Sequence, residues 1–345
     1  MGKEKIDGRE KIRIFGHPWH LAHQYELTKL PWAEFFWLTT YKRGYNAMPR
    51  GDFFPKENWV ASYEKGKYDL AILHLDQQFL EEGIWMEGKA SLYRQLNEII
   101  TDIPKIVIIH GTPYEMDITD NPNDFVIHLK DIIGDNWMVF NSHRAKEEWC
   151  FGLNGDIVGV NPEKCFTIWH GLDPAEWWDL PKEPRVITTI GAAGLPTYYD
   201  RAFLSAVKEG LAYRDIKLGH VMVDWSAKNW DDYRNFIGRS LLYFNPTKES
   251  PMPRARTEAM LSGCCVITTP HHDADKIFKN GENGFIVKRN PESVVKLIEE
   301  LLYDYERALK IGQAGKATAI KLLNKERYQA DWKAVIEKVL NTKII

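Results

Sequence analysis

The sequence lacks any long apolar run, any signal-like amino terminus and any marked excess of charge. No apolar stretch approaches the ~20 residues that a membrane span needs. The first residues, MGKEKIDGREKIRIFG, are charged and contain no apolar core of the kind found in signal peptides. The formal net charge of −3 gives no electrostatic case for a nucleic-acid partner. We therefore expect a cytoplasmic protein that does not bind nucleic acid.

Motifs for metals and nicotinamide cofactors are also missing. The four cysteines include no CxxC pair, and Cys264 and Cys265 lie side by side in an apolar run, which favours buried, reduced thiols. His17, His20 and His23 have the HxxH spacing of some zinc sites, but no HExxH motif or cysteine accompanies them, so a shared helix face explains them better. No GxGxxG loop supports a nicotinamide enzyme. We expect neither a metal nor an organic cofactor.

Short apolar runs alternate with longer helical patterns along the whole chain, which is typical of α/β proteins with parallel sheets. The runs predict strands at Lys11–Phe15, Tyr68–Leu73, Lys105–Ile109, Trp137–Asn141, Cys165–Ile168, Val186–Ile190, Leu218–Val223, Leu241–Phe244, Cys264–Thr268 and Phe285–Val287. The patterns predict helices at Trp19–Lys29, Ser91–Ile100, Asn123–Ile132, Arg144–Phe151, Tyr198–Gly210, Trp230–Gly238, Arg254–Leu261, from Pro291 to about Tyr305, and at Lys325–Leu340.

Length and one proline-rich segment divide the chain into two domains. A chain of 345 residues is long for one core at about 150 residues per domain. Residues 171–185, GLDPAEWWDLPKEPR, carry three prolines and no clear period, so we interpret them as the interdomain linker. We expect two Rossmann-like domains that face a cleft, over residues 1–178 and 179–324. A helix over residues 325–345 is expected to pack back toward the first domain.

Polar or small residues follow several of these strands, and ligands bind at the carboxyl ends of parallel strands. His110 ends the run KIVIIHGTP, a position that fits either a cleft-facing side chain or a strand cap packed under a loop. Gly16 and His17 begin GHPWH, between the first strand and a helix. There glycine allows a sharp turn, and the helix amino terminus offers N–H donors.

The loop TIGAAGLPTYYDR, residues 189–201, holds the corresponding place in the second half. Gly191 and Gly194 would let backbone amides approach a phosphate, although an ordinary tight connection has the same composition. Arg201 is expected one or two turns into the next helix, within reach of a diphosphate. A loop that contains His271, His272 and Asp273 follows the strand that ends at Thr268. We interpret these residues as hydrogen-bonding to a polar ligand. A metal site is the weaker interpretation, because sequential neighbours rarely converge on one ion.

A charge cluster within ESPMPRARTEAML, residues 249–261, precedes a buried strand: Glu249, Arg254, Arg256 and Glu258. Pro253 fits the first turn of a helix over Arg254–Leu261. On that helix Glu258 would accept hydrogen bonds from a ribose diol, and the two arginines would suit a phosphate. The alternative is a solvated face on which the glutamates balance nearby cations.

The order of these segments resembles the retaining nucleotide-sugar glycosyltransferases of the two-Rossmann-domain (GT-B) type, in particular the group 1 family. TEAMLSGCCVITT resembles the family's glutamate helix, small-residue turn and buried strand, and KNGENGFIV is similar to its DGxNGxLV segment. NPEKCFTIWHGLDPAEW resembles its hinge. His110 falls where the family carries its active-site histidine, and Gly16 falls in its amino-terminal glycine loop.

The sequence departs from the family at the glutamate motif, E-x7-E. Glu249 lies nine positions before Glu258, and Ser250 occupies the position eight before it. Either the loop carries one extra residue, so that Glu249 keeps the first position, or the role of the first glutamate is absent and Ser250 stands in its place. The family's diphosphate-binding arginine and lysine are also not evident in the second half. The cations that would replace them are Arg201, Lys248, Arg254 and Arg256.

The resemblance implies a transferase that moves a sugar from a nucleoside diphosphate sugar to an acceptor with retention of configuration. No metal is expected, because positive side chains would stabilise the leaving diphosphate. The alternatives are a nucleotide-sugar epimerase of the same fold and a non-catalytic sugar- or nucleotide-binding homologue. The implied site comprises catalytic His110 and Glu249, donor-binding Glu258, Arg254, Arg256, Arg201, Gly191, Gly194, His271, His272 and Asp273, and acceptor-side Gly16 and His17.

The acceptor is expected to contain a sugar or a lipid-linked group. The aromatic residues of LPWAEFFWLTTYKRG, residues 30–44, would stack on sugars or touch a membrane surface peripherally, while a buried helix or strand explains them better. The sequence carries no signal for an oligomeric state.

Overall fold

The structure of the protein is a computed structural model that describes residues 11–17, 21–39, 58–75, 87–112, 133–151, 160–190, 198–221, 227 and 229–344. The chain forms two compact units. Unit 1 comprises Met1–His170 and Tyr328–Ile345, and unit 2 comprises Gly171–Arg327. The chain therefore passes between the units twice.

Unit 1 is built on a parallel sheet in the order β3-β2-β1-β4-β5-β6-β7. Every neighbouring pair of these described strands is parallel. The order changes direction between β1 and β4, which is where open α/β sheets bind ligands at the carboxyl edge. The strands are β1 (Ile12–Gly16), β2 (Ala33–Leu38), β3 (Trp59–Val60), β4 (Leu70–Leu75), β5 (Lys105–Ile109), β6 (Trp137–Phe140) and β7 (Cys165–Thr167).

Helices α1 (Leu21–Leu27), α2 (Glu87–Ile99) and α3 (His143–Phe151) connect strands of unit 1. Both faces of the sheet are buried, which explains the near-continuous apolar runs of its strands. Alternate residues enter different cores: Phe15 and Val107 pack on one face, while Ile14 and Ile106 pack on the other.

Unit 2 has a smaller parallel sheet in the order β12-β11-β10-β8-β9. Its strands are β8 (Glu183–Thr188), β9 (Leu218–His220), β10 (Ser240–Asn245), β11 (Cys265–Thr268) and β12 (Phe285–Ile286). Its helices are α4 (Arg201–Ala212), α5 (Trp230–Arg239), α6 (Arg254–Leu261), α7 (Ala274–Ile277), α8 (Pro291–Tyr303) and α9 (Tyr305–Leu322). The predicted fold class, α/β with two Rossmann-like sheets, is confirmed.

The last helix, α10 (Lys325–Leu340), packs on the sheet of unit 1. Its buried face joins the core formed by Ile12, Ile14 and Ile106. Trp332 is fully buried there and Tyr328 is almost so.

The structure differs from the sequence prediction where proline and small residues occur. Strand β8 begins at Glu183, inside the segment predicted as a linker, because proline is tolerated at the start of a strand. The predicted helix ending near Tyr305 breaks at Asp304, which accepts from Arg307 N and so caps a separate helix α9. The sequence patterns did not predict α9, whose buried face consists mostly of alanine and glycine.

Residues 33–38 of the aromatic segment form β2 and lie in the core of unit 1, as the buried-strand interpretation expects. The helix predicted at Asn123–Ile132 lies outside the described residues. All four cysteines are buried thiols outside any disulfide. In the described part of the chain, no helix combines the length and apolar character needed to cross a bilayer.

Replacing Trp332 by alanine is expected to destabilise unit 1 by about 3–5 kcal/mol, because a deleted buried indole leaves a cavity. Urea unfolding measures the loss, and hydrogen exchange of the β1 and β5 amides locates it. Tyr303→Ala is the control, since its side chain is 94% exposed and should cost about 0.5 kcal/mol or less. Equal losses in the two variants would contradict this packing.

Candidate active site

The carboxyl ends of β10 and β11 are joined by side-chain hydrogen bonds. Thr268 Oγ1 donates to the backbone oxygen of Asn245 over 3.3 Å. Thr247 donates to the side-chain oxygen of Asn245, and Thr269 donates to the backbone oxygen of Thr247. All four residues are fully buried. These bonds fix the beginnings of two connections: 246–253, which leads into α6, and 269–273, which carries His271, His272 and Asp273.

Helix α6 begins at Arg254 as predicted and directs its charged side chains to different faces. Residues four apart share a helical face. Arg254 and Glu258 form an ion pair on one such face, with Nε 2.9 Å from Oε1. Arg256, two positions after Arg254, points to the other side and is fully buried. Of the two arginines, Arg254 is therefore the one that accompanies Glu258.

Tyr233, on α5, holds the second carboxylate oxygen of Glu258. Its hydroxyl donates to Glu258 Oε2 over 2.7 Å. The Tyr233 ring stacks on Trp230 with centroids 5.4 Å apart, and Trp177 meets both rings edge-on. Because each carboxylate oxygen has a fixed donor, Glu258 is an oriented acceptor.

Arg256 is held by contacts inside unit 2. Its NH1 lies 2.6 Å from His271 Nε2, and its NH2 donates to Met252 Sδ over 3.1 Å. The guanidinium also lies over the Phe278 ring, 5.3 Å from the centroid. The side chain has no exposed surface in this structure, and its predicted donor-binding role stays a prediction. Arg256 ties α6 to the loop that follows β11.

His271 accepts from Arg256 because its imidazole is neutral. Nδ1 lies 2.7 Å from the backbone oxygen of Thr269, so Nδ1 carries the proton and Nε2 is the acceptor. Burial, and then the positive charge of Arg256, hold the pKa of His271 well below its ordinary value of 6.5. Burial also lowers the pKa of Arg256 to about 10, which leaves that side chain charged at neutral pH. Both ring nitrogens of His271 are thus engaged within the protein.

The neighbouring loop residues His272 and Asp273 have distinct settings. His272 has a φ of 34°, in the left-handed region that non-glycine residues seldom occupy. Asp273 is buried and lies 3.4 Å from Lys276 Nζ. Neither the backbone angle of His272 nor the ion pair of Asp273 identifies a ligand. The donor-binding roles of both residues therefore stay predictions.

Arg201 is exposed and is the first residue of α4, not one or two turns inside it as predicted. The helix begins there because Asp200 accepts from Phe203 N over 3.0 Å and caps it. Gly191 and Gly194 lie outside the described residues.

Glu249 is half-buried in the connection between β10 and α6. Its neighbours on both sides contact the segment before α4: Lys248 N donates to Tyr198 O over 2.8 Å, and Ser250 hydrogen-bonds to Tyr199. Burial raises the pKa of Tyr199, and the hydrogen bond with Ser250 partly offsets this rise. Whether Glu249 or Ser250 fills the first motif position stays a prediction.

A glycine turn ends α6, as the small-residue pattern predicts. Gly263 has a φ of +74°, and a Cβ there would lie 2.5 Å from Asp179 Oδ1. Asp179 is held in turn by Lys316 at 2.9 Å and Lys182 at 3.0 Å. Residues of the predicted linker therefore anchor the carboxyl end of α6 within unit 2.

Four histidines meet at the carboxyl edge of the sheet of unit 1, beside the change of strand order. His17 Nε2 accepts from the backbone N–H of His74 over 3.1 Å. His74 Nδ1 lies 2.8 Å from His110 Nε2. His23 of α1 packs edge-on against His110, with ring centroids 4.8 Å apart. The structure thus brings the predicted residues His17 and His110 together with His74, which the sequence analysis did not single out.

Packing, not a sharp turn, explains the glycine at position 16. Gly16 lies in β1 and pairs with Trp37 of β2, and a Cβ there would lie 2.6 Å from the Trp37 ring. The predicted turn at Gly16 is therefore wrong. Its acceptor-side role stays a prediction, as does that of His17, whose side chain is fully buried.

The loop after β5 is fixed by α3, since Trp149 Nε1 donates to the backbone oxygen of Gly111 over 3.0 Å. This bond restrains the chain just beyond His110. Among the residues that the structure describes, no group of three or more His, Cys, Asp or Glu side chains has the arrangement of a metal site.

Two site residues escaped the sequence analysis for different reasons. His74 lies inside the apolar run LAILHL, which was predicted to end at Leu73, although a histidine inside a buried parallel strand is itself a signal. Tyr233 lies on a helix whose apolar residues look like ordinary packing, and nothing in the sequence links it to Glu258.

The second half of the chain carries the family evidence. Residues 214–318 match the family model of the group 1 glycosyl transferases. The matched segment contains α5, α6 and β11, and with them Tyr233, Arg254 and Glu258. The match identifies residues 214–318 as a group 1 glycosyl transferase segment.

This glycosyl transferase shares its fold with solved GT-B enzymes. Alr3699/HepE of Anabaena, crystallised with UDP and glucose, has a TM-score of 0.62 at 12% identity, over 95% of this chain and 100% of that one. Sucrose-phosphate synthase of Thermosynechococcus elongatus has a TM-score of 0.62 at 12% identity, over 96% and 100%. A glycosyltransferase of Rickettsia africae has 0.59 at 15% identity, over 96% and 99%. Such identities show the fold and not the substrate, and curated protein sequences yield no significant match.

The neutral state of His271 predicts that the glycosyl transferase loses stability in acid. Below the ordinary histidine pKa of 6.5 the unfolded chain binds a proton that the folded chain excludes. Stability therefore falls with pH, by up to about 1.4 kcal/mol per unit, until the lowered folded-state pKa is reached. His271→Gln keeps an acceptor for Arg256 and cannot titrate. The amount by which the free energy of unfolding of this variant falls below that of the wild type should therefore shrink as the pH is lowered from about 7.5 to about 5.5.

Thermal and urea unfolding of the wild-type protein and the His271→Gln variant at both pH values measure this difference. Lys310→Gln is a control for charge loss at an exposed position of unit 2. A deficit of His271→Gln that stays constant across the pH range would show that His271 titrates normally in the folded protein.

Proposed function

We propose that this glycosyl transferase moves a sugar from a nucleoside diphosphate sugar to an acceptor hydroxyl, with retention of configuration. One observation carries the proposal: the family-matched segment holds Glu258 as a buried carboxylate, oriented by Tyr233 and Arg254. A ribose diol offers two neighbouring O–H donors, and a fixed carboxylate is a suitable acceptor for them.

We further propose a uridine nucleotide in the donor. The support comes from structures of the same fold, because Alr3699/HepE of Anabaena was crystallised with UDP and with UDP-glucose. With identities of 12–13%, this support is an analogy of fold, and the nucleotide has to be tested directly.

Arg254 is the cation we propose beside the diphosphate. Its Nε is bound to Glu258, and the side chain keeps 16% of its surface exposed. Arg201, exposed at the start of α4, is the second candidate, with Gly191, Gly194, His272 and Asp273 as further donor contacts. A guanidinium near the leaving diphosphate stabilises the charge that develops as the glycosidic bond breaks. We therefore propose that the reaction needs no metal ion.

Retention is proposed to follow a front-face path, in which the leaving diphosphate helps to take the proton of the acceptor hydroxyl. The protein then contributes position and electrostatic stabilisation without a covalent intermediate. We keep His110 as the residue of unit 1 that acts on the donor sugar, and Glu249 as the first glutamate of the motif.

The acceptor is proposed to carry a sugar or a lipid-linked group. The buried aromatic residues of β2 are unavailable for stacking on it or for touching a membrane. A cytoplasmic location and peripheral membrane contact stay predictions of the sequence.

Replacing Glu258 by glutamine is expected to weaken donor binding by about 10- to 100-fold, because a hydrogen bond to a charged acceptor is worth about 1.5–3 kcal/mol. Tyr233→Phe should weaken it by about 5-fold, since the carboxylate loses one orienting donor. Isothermal titration with UDP-glucose and UDP measures both effects. Tyr305→Phe is the matched control, because it removes a hydroxyl that donates to Lys182 O over 3.0 Å, away from Glu258. Unchanged affinity in Glu258→Gln would remove Glu258 from the donor site.

The function itself is tested by thermal shift and hydrolysis assays on a panel of nucleoside diphosphate sugars, followed by acceptor screening and mass analysis of products. We expect a uridine diphosphate sugar to give the largest shift, and His110→Ala to reduce turnover by about 100-fold. An isomerised donor sugar without transfer would identify an epimerase. Donor bound but never consumed would identify a non-catalytic homologue, which the irregular spacing of Glu249 and Glu258 would then explain.

A further inference from the structure

His74 and His110 face each other across adjacent strands of unit 1. Strands β4 and β5 pair in parallel, with His74 opposite Ile108, and His110 N donates to Leu75 O over 2.9 Å. This register brings His74 Nδ1 to 2.8 Å from His110 Nε2, with the two rings nearly parallel at 20°. His74 is fully buried, and His110 is half-buried beside it.

The distance between these two nitrogens fixes how many protons they hold. At 2.8 Å, one nitrogen must donate and the other accept. If both nitrogens carried a proton, the two N–H groups would repel each other. If neither nitrogen carried one, two lone pairs would be in contact. One proton therefore lies between His74 and His110.

Two further histidines hold the pair in place. His17 Nε2 accepts from the backbone N–H of His74, which fixes the position of β4 at this residue. His23 packs against the His110 ring, and His23 Nε2 lies 3.2 Å from Asn141 Oδ1. The pair is thus supported from the residue that follows β1 and from α1.

We propose that His74 is a positioning residue for His110, which it holds through one shared proton so that Nε2 faces β4 and the Nδ1 edge of the His110 ring faces away from it. The inference rests on the proposed function, in which His110 acts on the donor sugar. It adds that the orientation and tautomer of His110 are set by a second imidazole behind it. An unrestrained ring would sample other rotamers, and small misplacements of a reacting group are costly in rate.

The first test needs no substrate. Full-length protein labelled with ¹⁵N in its histidines reports the protonation of each ring nitrogen by NMR, with assignments from His74→Asn and His110→Asn. At neutral pH we expect one of the two nitrogens, His74 Nδ1 and His110 Nε2, to carry a proton and the other to carry none. Protons on both nitrogens, or on neither, would overturn the proposal.

The second test separates positioning from stability. His74→Leu removes the partner and is expected to lower kcat by about 10- to 100-fold while donor KM changes by less than about 3-fold. His74→Asn places an amide where Nδ1 was and should restore kcat to within about 3-fold of the wild type.

Leu73→Ala is the matched control, because Leu73 is equally buried in β4 but points to the opposite face of the sheet. It should lower the melting temperature and leave both kcat and the His110 nitrogen signals unchanged. Equal losses of kcat in His74→Leu and Leu73→Ala, or unchanged His110 signals in His74→Leu, would reduce His74 to a packing residue.

The two proposals fail in different ways. If no donor is consumed by the wild-type protein, the proposed function fails while the NMR measurement still decides whether the rings share a proton. If transfer occurs but the rings do not share one, the proposed function stands and the role of His74 is overturned.

Discussion

The common direction of the strands is the constraint on which the rest of this structure depends. Because the described strands of each sheet run parallel, their carboxyl ends fall along one edge, and the residues that follow them are brought together. In unit 1 this edge gathers His17, His74 and His110 from segments far apart in the chain. In unit 2 it joins Asn245 and Thr268 and fixes the connections that lead to α6 and α7. Each group of site residues is thus a product of topology before it is a product of any single motif.

Helix α6 shows how far the sequence can go in describing the site. Its bounds, its ending at a small-residue turn and the importance of Glu258 all follow from composition and resemblance, and the bounds and the turn are what the structure shows. The roles of its two arginines do not follow, because a charge in a sequence carries no information about the face it occupies. Arg254 shares the surface of Glu258, whereas Arg256 enters the core and is tolerated there because a neutral His271 accepts from it.

The fold was largely predictable because strands buried on both faces leave continuous apolar runs, and helices leave amphipathic ones. Where these signals weaken, prediction failed for physical reasons. Helix α9 packs through alanine and glycine, so its contact face has no large apolar stripe. Strand β8 begins among prolines that resembled a linker. His74 interrupts an apolar run at the point where a strand was expected to end. Partners from other elements, such as Tyr233 for Glu258, leave no trace in the sequence around them.

The double passage of the chain between the units has a consequence for its synthesis. One face of the sheet of unit 1 is covered by Tyr328, Trp332, Val335 and Ile336, which lie beyond the whole of unit 2 in the sequence. During translation the strands of unit 1 therefore emerge early, with the part of that face that α10 covers still bare. Almost all of unit 2 leaves the ribosome before the covering helix does. The first unit to be made is thus the last to be completed, and its bare apolar face is the surface that a nascent-chain chaperone would meet.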